Sequence, residues 1–440
     1  MAMHAVKSYS NLFFSLVFGL IIFASNQFYF FNIDFRKVDN PYISNRLAFS
    51  YELAGNDFQE PPKEWIENWF YNQPSPFKYR VLAKVPIWLT YRFLQEYSYF
   101  ISEFDAFYFS YLIWTYFFVV AFLFLCHRFS VYFLSDILDD KLIFLESPII
   151  NFFIFLIIII CPPVLFAFKF PIHGSPNDFL GYTLILLCLI LIRSGKIILF
   201  TFFCLVSLLC RETNLIVLLP FVFLREVTLL KKLLVVIFAI AFLLVYRMAF
   251  PGTYDPFSGS MHNLNFPYES ILFMFMIFGF LWCLGFAGWF ELRKKPNSDF
   301  IKSLVRSFII SIALVLIINL IFARIREIRI GFIVFFYFIP FSLYYLYLNI
   351  ELFKKLISII YFWLLIASLA LVVLLVYIQI LPIDEIDYSN KISIFNQFYG
   401  GFGGGWINIF IIYLFLFLIM LSVVFIKEFI SRRQAVIHQR

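Results

Sequence analysis

Long apolar runs broken by short polar stretches recur along the whole chain. The first reads "NLFFSLVFGLIIFASNQFYF", and comparable runs centre near residues 104–126, 149–169, 178–192, 197–210, 213–224, 233–250, 269–290, 308–323, 330–348, 356–380 and 406–426. Runs of roughly 18 or more apolar residues mark helices that span a bilayer, and about twelve such segments are predicted here. The pattern therefore predicts an all-α polytopic membrane protein, with residues 1–440 forming one integral membrane domain. The run at 11–31 exceeds the roughly 7–15 residues of a signal-peptide core and lacks a small-residue cleavage site, so it is read as a retained first helix.

Composition agrees. The chain is 63% hydrophobic, 22% aromatic and 14% charged, against about 25% charged residues in soluble domains. Base-composition bias in the coding DNA accounts for the 65 phenylalanines more simply than a role specific to Phe. Cys126, Cys161, Cys188, Cys204, Cys210 and Cys283 lie in apolar runs without C-x-x-C spacing, and read as small core residues. The histidines are scattered, and no nucleic-acid-binding motif is present.

Basic residues cluster at alternate ends of the runs: Lys7, His127-Arg128, Arg193/Lys196, Arg225/Lys231/Lys232, Arg293-Lys294-Lys295, Lys354-Lys355 and Arg432-Arg433. Positive charge marks the cytoplasmic side. Both termini are then expected in the cytoplasm of a multi-pass cell (inner) membrane protein, and the elaborate loops face the periplasm or exterior. These are residues 32–103, 170–178, 251–269 and the glycine-rich 382–408. In the first, "PPKEWIENWF" and "RVLAKVPIWLTYRFLQEY" read as short helices lying in the interface or as an aromatic belt, and the two readings are compatible.

Charge also occurs where the surrounding sequence suits hydrocarbon. In "FFCLVSLLCRETNLIVLLPF" the pair Arg211-Glu212 interrupts an apolar run. The runs 179–192 and 197–210 hold about 14 residues each and rise about 21 Å, short of a bilayer core of about 30 Å. Asp178 and Arg211-Glu212 are then expected at similar depth, about 9 Å below the outer surface. The turn "ARIREIRI" places Arg324, Arg326, Glu327 and Arg329 comparably. Ions there cost at least about 2–3 kcal/mol each unless paired or hydrated. The charges are thus expected to line an outward-facing, water-filled cavity rimmed by short helices; the competing reading is a set of Arg–Glu pairs that tie helices together. An excess of arginine over acid suits an anionic ligand such as a phosphate.

A lipid-linked sugar phosphate meets these requirements: its tail takes lipid, its phosphate takes arginine, and its sugar takes a wet cavity. Sugar transfer also requires a carboxylate to accept the acceptor hydroxyl proton. Asp39 in "NIDFRKVDNPYISNRLAFSYELAGN" is the preferred base, Asp34 the reserve, and Asp178 a substrate-positioning third; a plain solvated loop acid is the alternative for the first two. His173, in the loop before Asp178, completes the polar candidates.

Four stretches, "DNPYISNRLAFSYELAG", "PFKYRVLAKVPIWL", "PNDFLGYTLILLCLILIRSGKIILFTFFCLVSLLCRET" and "REIRIGFIVFFYFIP", give the chain a layout that resembles membrane glycosyltransferases of the GT-C superfamily, in its poorly characterised bacterial branch. The resemblance covers the first half well and the second half loosely. It implies a polyprenyl-phosphate-linked sugar donor, a lipid-linked glycan, lipid or protein acceptor, jaw-like interfacial helices and an inverting transfer of a hexosyl or pentosyl group. Carried over by position, it implies Asp39 as base, Arg211 and Arg329 as phosphate holders, and Tyr79 and Arg80 as gate residues. Many relatives pair two acids in the first loop, whereas Asn40 follows Asp39 here, which counts against a metal-assisted step. The "DEID" of residues 384–387 is the one candidate for a divalent cation, and otherwise a plain acidic loop. A transporter or flippase of a lipid-linked or anionic substrate stays open, because interrupted segments occur in both halves. So does a polysaccharide polymerase or ligase.

Overall fold

The computed structural model describes residues 2–27, 62–71, 80–97, 101–138, 148–159, 161–165, 167, 175–249, 270, 274–275, 277–279, 281–294, 298–322 and 328–351. The chain divides into two units, residues 1–29 with 33–350, and residues 30–32 with 351–440. Everything below concerns the first. The expected spans near 356–380 and 406–426 and the loop 382–408 lie outside the described residues.

Helix is the only regular structure among the described residues. In order these are α1 (Ala2–Gln27), α2 (Pro62–Tyr71), α3 (Lys84–Tyr97), α4 (Glu103–Ser135), α5 (Pro148–Ile159), α6 (Pro162–Leu165), α7 (Ser175–Arg193) and α8 (Ile197–Leu208). A 3-10 turn (Glu212–Val217) leads into α9 (Leu218–Phe223), followed by α10 (Leu229–Ala249), α11 (Leu281–Lys294), α12 (Asp299–Phe322) and α13 (Ile328–Gly331). A second 3-10 turn (Phe332–Val334) leads into α14 (Phe335–Leu348). Among the described residues, four helices are long and apolar enough to cross a membrane: Glu103–Ser135, Pro176–Arg193, Leu229–Ala249 and Asp299–Ile321. Ser10–Ala24, Ile197–Leu208, Glu212–Phe223 and Phe332–Leu348 are shorter apolar helices.

Several boundaries differ from the sequence expectation: α12 starts at Asp299 and not near 308, and α11 covers Leu281–Lys294 and not 269–290. Helix α7 has 19 residues, not the 14 expected from 179–192, and begins at Ser175. Its rise of about 28 Å nearly matches a bilayer core. The polar stretch "SPND" reads as loop, yet Pro176 fits a first helical turn and Asp178 complements the positive end of the helix dipole. Helix α4 runs for 33 residues to Ser135, so His127 and Arg128 lie inside it and not at its end. Its start is capped by Ser102, whose Oγ accepts from the Asp105 N–H at 3.1 Å. Buried His127 shares a 3.0 Å hydrogen bond with Asn151 of α5.

The core forms where α4, α7 and the Phe332–Leu348 segment meet. Phe122 packs within 5.2–6.2 Å, ring centre to centre, of Phe179, Tyr182, Phe332 and Phe335. Many of the phenylalanines thus fill helix seams, whatever the origin of their number. At the seam of α11 and α14, a methyl added to Gly288 would overlap the Phe341 carbonyl. Small residues allow such close helix approach without a polar contact.

Surroundings distinguish the spans. The apolar window of α7 is 72% buried and that of α10 only 11%. Helix α7 is therefore central, and α10 presents its apolar side chains to the surroundings of the bundle.

Candidate functional site

Helices α2 and α3 stack on the start of α4. Ile66 and Trp69 of α2, Ile87 and Tyr91 of α3, and Phe104, Phe107 and Tyr111 of α4 form one buried cluster. Phe70 and Trp88 stack at 4.5 Å. Both expected short helices exist. Lys84, in the first turn of the second, is buried under α2. Its Nζ donates to the Trp69 carbonyl at 3.4 Å and lies 5.4 Å from the Trp69 ring centre. Burial, and next the neighbouring Arg80 charge, lower its pKa to about 7.

This stack delivers Arg80, one turn before α3, to the interruption after α8. Helix α8 ends at Leu208 because the chain turns out of it. The Arg211 N–H still reaches back to the Ser207 carbonyl at 3.2 Å, but Arg211 itself is extended, at φ −164° and ψ 136°. Asn214 ties the turn together, donating its side-chain amide to the Ser207 carbonyl at 2.8 Å and its N–H to the Arg211 carbonyl at 3.1 Å. Helix α7 passes close by at Gly181, where an added Cβ would stand 2.9 Å from the Asn214 amide.

Five charged side chains meet at this turn. Arg211 Nη1 lies 2.8 Å from Asp178 Oδ1, in the first turn of α7. Glu212 is held from two sides. Arg80 Nη2 donates to its Oε2 at 3.3 Å, and Arg247 Nη2, from the last turn of α10, donates to its Oε1 at 2.5 Å. Side-chain exposure rises across the group, from 1% and 4% at Asp178 and Arg211 to 17% at Glu212 and 43% at Arg247. Buried Asn177 and Asn214 flank the inner pair.

Four of the sequence-predicted site residues, Arg80, Asp178, Arg211 and Glu212, are therefore brought together. Arg80, implied as a gate residue, is itself buried, and the expectation that Asp178, Arg211 and Glu212 line a wet cavity needs correction for the first two. Asp178 and Arg211 are enclosed in packing, because pairing their charges lowers the cost of leaving water. The open side belongs to Glu212 and Arg247. Asp178 also lies inside its helix and not above it. Asp34, Asp39, Tyr79, His173, Arg326 and Glu327 lie outside the described residues; Arg329 lies in α13, but its side chain is not described. The sequence reading missed Arg247. Its signal was an arginine in the last turn of a long apolar run.

Among the described residues, no group of three or more His, Cys, Asp or Glu is placed to hold a metal ion. The "DEID" candidate at 384–387 lies outside them. All six cysteines are free, five of them buried. No family model, no curated protein and no solved structure matches the chain.

Proposed function

We propose that this protein is a membrane glycosyltransferase. It moves a sugar from a polyprenyl-phosphate-linked donor to a lipid-linked glycan, lipid or protein acceptor on the outer face of the membrane. The observation that carries the reading is the convergence of Arg80, Arg211 and Arg247 with Asp178 and Glu212 at one end of a bundle of apolar helices. Charges withdrawn from water at a span end are costly and mark sites of function. Guanidinium groups suit the phosphate of a lipid carrier and stabilise the negative charge that grows on it as the glycosidic bond breaks.

In this reading Asp39 accepts the acceptor hydroxyl proton while the lipid phosphate departs from the opposite face of the sugar. Arg80 and Arg247 meet the phosphate. Arg211 is no direct phosphate holder; paired with Asp178, it fixes the turn that presents Glu212. The helices α2 and α3 form the jaw that carries Arg80.

The test is transfer by the purified chain in nanodiscs, supplied with polyprenyl-phosphate-linked hexoses and pentoses and short lipid-linked acceptors. Asp39→Asn should lower transfer by about 10²- to 10⁴-fold, the usual contribution of a positioned base, with donor binding retained. Full activity of Asp39→Asn would remove Asp39 as the base. Absence of transfer by the wild type, with movement of lipid phosphate across proteoliposome membranes, would replace the transferase reading with transport.

A further inference from the structure

Glu212 is a carboxylate clasped by two guanidinium groups from distant parts of the chain. Arg80 arrives from the first long loop, and Arg247 from the end of the span most exposed to the surroundings of the bundle. Such a double clasp is the geometry in which arginines hold a phosphate, with more oxygens and more charge than one carboxylate offers. We propose that Glu212 is an internal stand-in for the anionic headgroup of a lipid-linked substrate. The lipid's phosphate displaces it from between Arg80 and Arg247.

Three observations support this. Exposure falls from 43% at Arg247 through 17% at Glu212 to 9% at Arg80, so an incoming anion meets Arg247 first. On α10, Leu244, Val245 and Met248 beside Arg247 are 59%, 67% and 80% exposed, an apolar surface along which a lipid chain can lie. Glu212 sits on a 3-10 turn immediately after extended Arg211, outside a regular α-helix, where a side chain can swing without unwinding a span. While Glu212 occupies the clasp, the two arginines stay paired and oriented. A neutral lipid lacks the charge to replace it, so the device selects for anionic lipids. The inference rests on the reading of this site as a binder of lipid-linked phosphate, and goes beyond it by assigning Glu212 as the displaced group and Arg247 as the point of first contact.

The experiment uses the full chain in phosphatidylcholine nanodiscs, titrated with undecaprenyl phosphate, with undecaprenol and inorganic phosphate as separate arms, and binding read by native mass spectrometry. The wild type should prefer the lipid phosphate over the alcohol by about tenfold or more, and Arg247→Gln should abolish that preference. Glu212→Gln should tighten lipid-phosphate binding about fivefold, because the competing carboxylate is gone. Weaker binding by Glu212→Gln, in parallel with Arg247→Gln, would overturn the proposal and make Glu212 a structural tie. If Glu212→Gln does not fold, Glu212→Asp replaces it. The shorter acid cannot span both arginines, so it should tighten binding about twofold, and unchanged or weaker binding overturns the proposal. Equal binding of inorganic phosphate, with the same response to the variants, overturns the assignment to a lipid. The outcomes separate from those for transfer. Tighter binding by Glu212→Gln without transfer by the wild type removes the transferase reading alone; transfer lost in Asp39→Asn with weaker binding by Glu212→Gln removes this inference alone.

Discussion

Helix α7 carries an ion pair at each end, and the two pairs differ. Asp178 lies in its first turn and Arg193 in its last, so both charges complement the helix dipole. At the end of the helix, Arg193 grips both oxygens of Asp136, at 2.5 and 2.7 Å, and lies 4.8 Å from the Tyr132 ring centre. That pair stays partly exposed, at 29% and 17%. At the start, Asp178 and Arg211 meet at 2.8 Å and are almost fully enclosed. A bridge that only fastens helices gains by staying hydrated, whereas enclosing a pair costs desolvation that its attraction barely repays. The enclosed pair adjoins the further cluster of Arg80, Glu212 and Arg247, whereas the partly exposed one lies against Tyr132, which Arg128 also contacts. We read the first as the site and the second as a fastening.

Breaking the enclosed pair has the largest expected effect. Arg211→Ala strands the Asp178 carboxylate and should cost about 3–5 kcal/mol of stability. Thermal unfolding in detergent checks this, and adding Asp178→Asn should restore most of the loss. A double variant as unstable as the single one would show that the two residues are not coupled.

Lys84, one turn beyond Arg80, probes the same end of the bundle through pH. Its pKa falls to about 7 from an ordinary 10.5, mainly through burial. Between those values the unfolded chain binds the extra proton, so stability rises as pH increases through that window; at lower pH the folded state carries the full cost of the buried charge. The wild type should therefore melt higher at pH 9 than at pH 6, and Lys84→Met should flatten that slope. Equal slopes in the two proteins would place Lys84 in contact with water.

The smallest effect belongs to the other end. Arg193→Ala should cost about 1 kcal/mol or less, shrinking further in high salt. A loss as large as that of Arg211→Ala would abolish the distinction between the two pairs.

The charged turn was legible in part from one observation: ions in an apolar run demand an explanation. That flagged Arg211, Glu212 and Asp178, while Arg80 entered only as a gate residue implied by the resemblance. Arg247 escaped because a lone arginine at the end of a span looks like ordinary flanking charge. The start of α7 was misplaced because proline and polar residues signal a loop and a first helical turn alike. The sinking of Lys84 was invisible, since an amphipathic reading directs every lysine outward.

By itself the sequence determined the helical class, the presence of long apolar helices and that of charges that have to be neutralised, because hydropathy and helical period are properties of neighbouring residues. Which charges meet, which of them are enclosed and which remain open was decided only by the tertiary structure. Arg80 and Glu212 stand 132 residues apart, and nothing local in either stretch names the other. Their pairing follows from how α3 and α7 begin and α10 ends around one turn, and the balance between desolvation and attraction there depends on that packing.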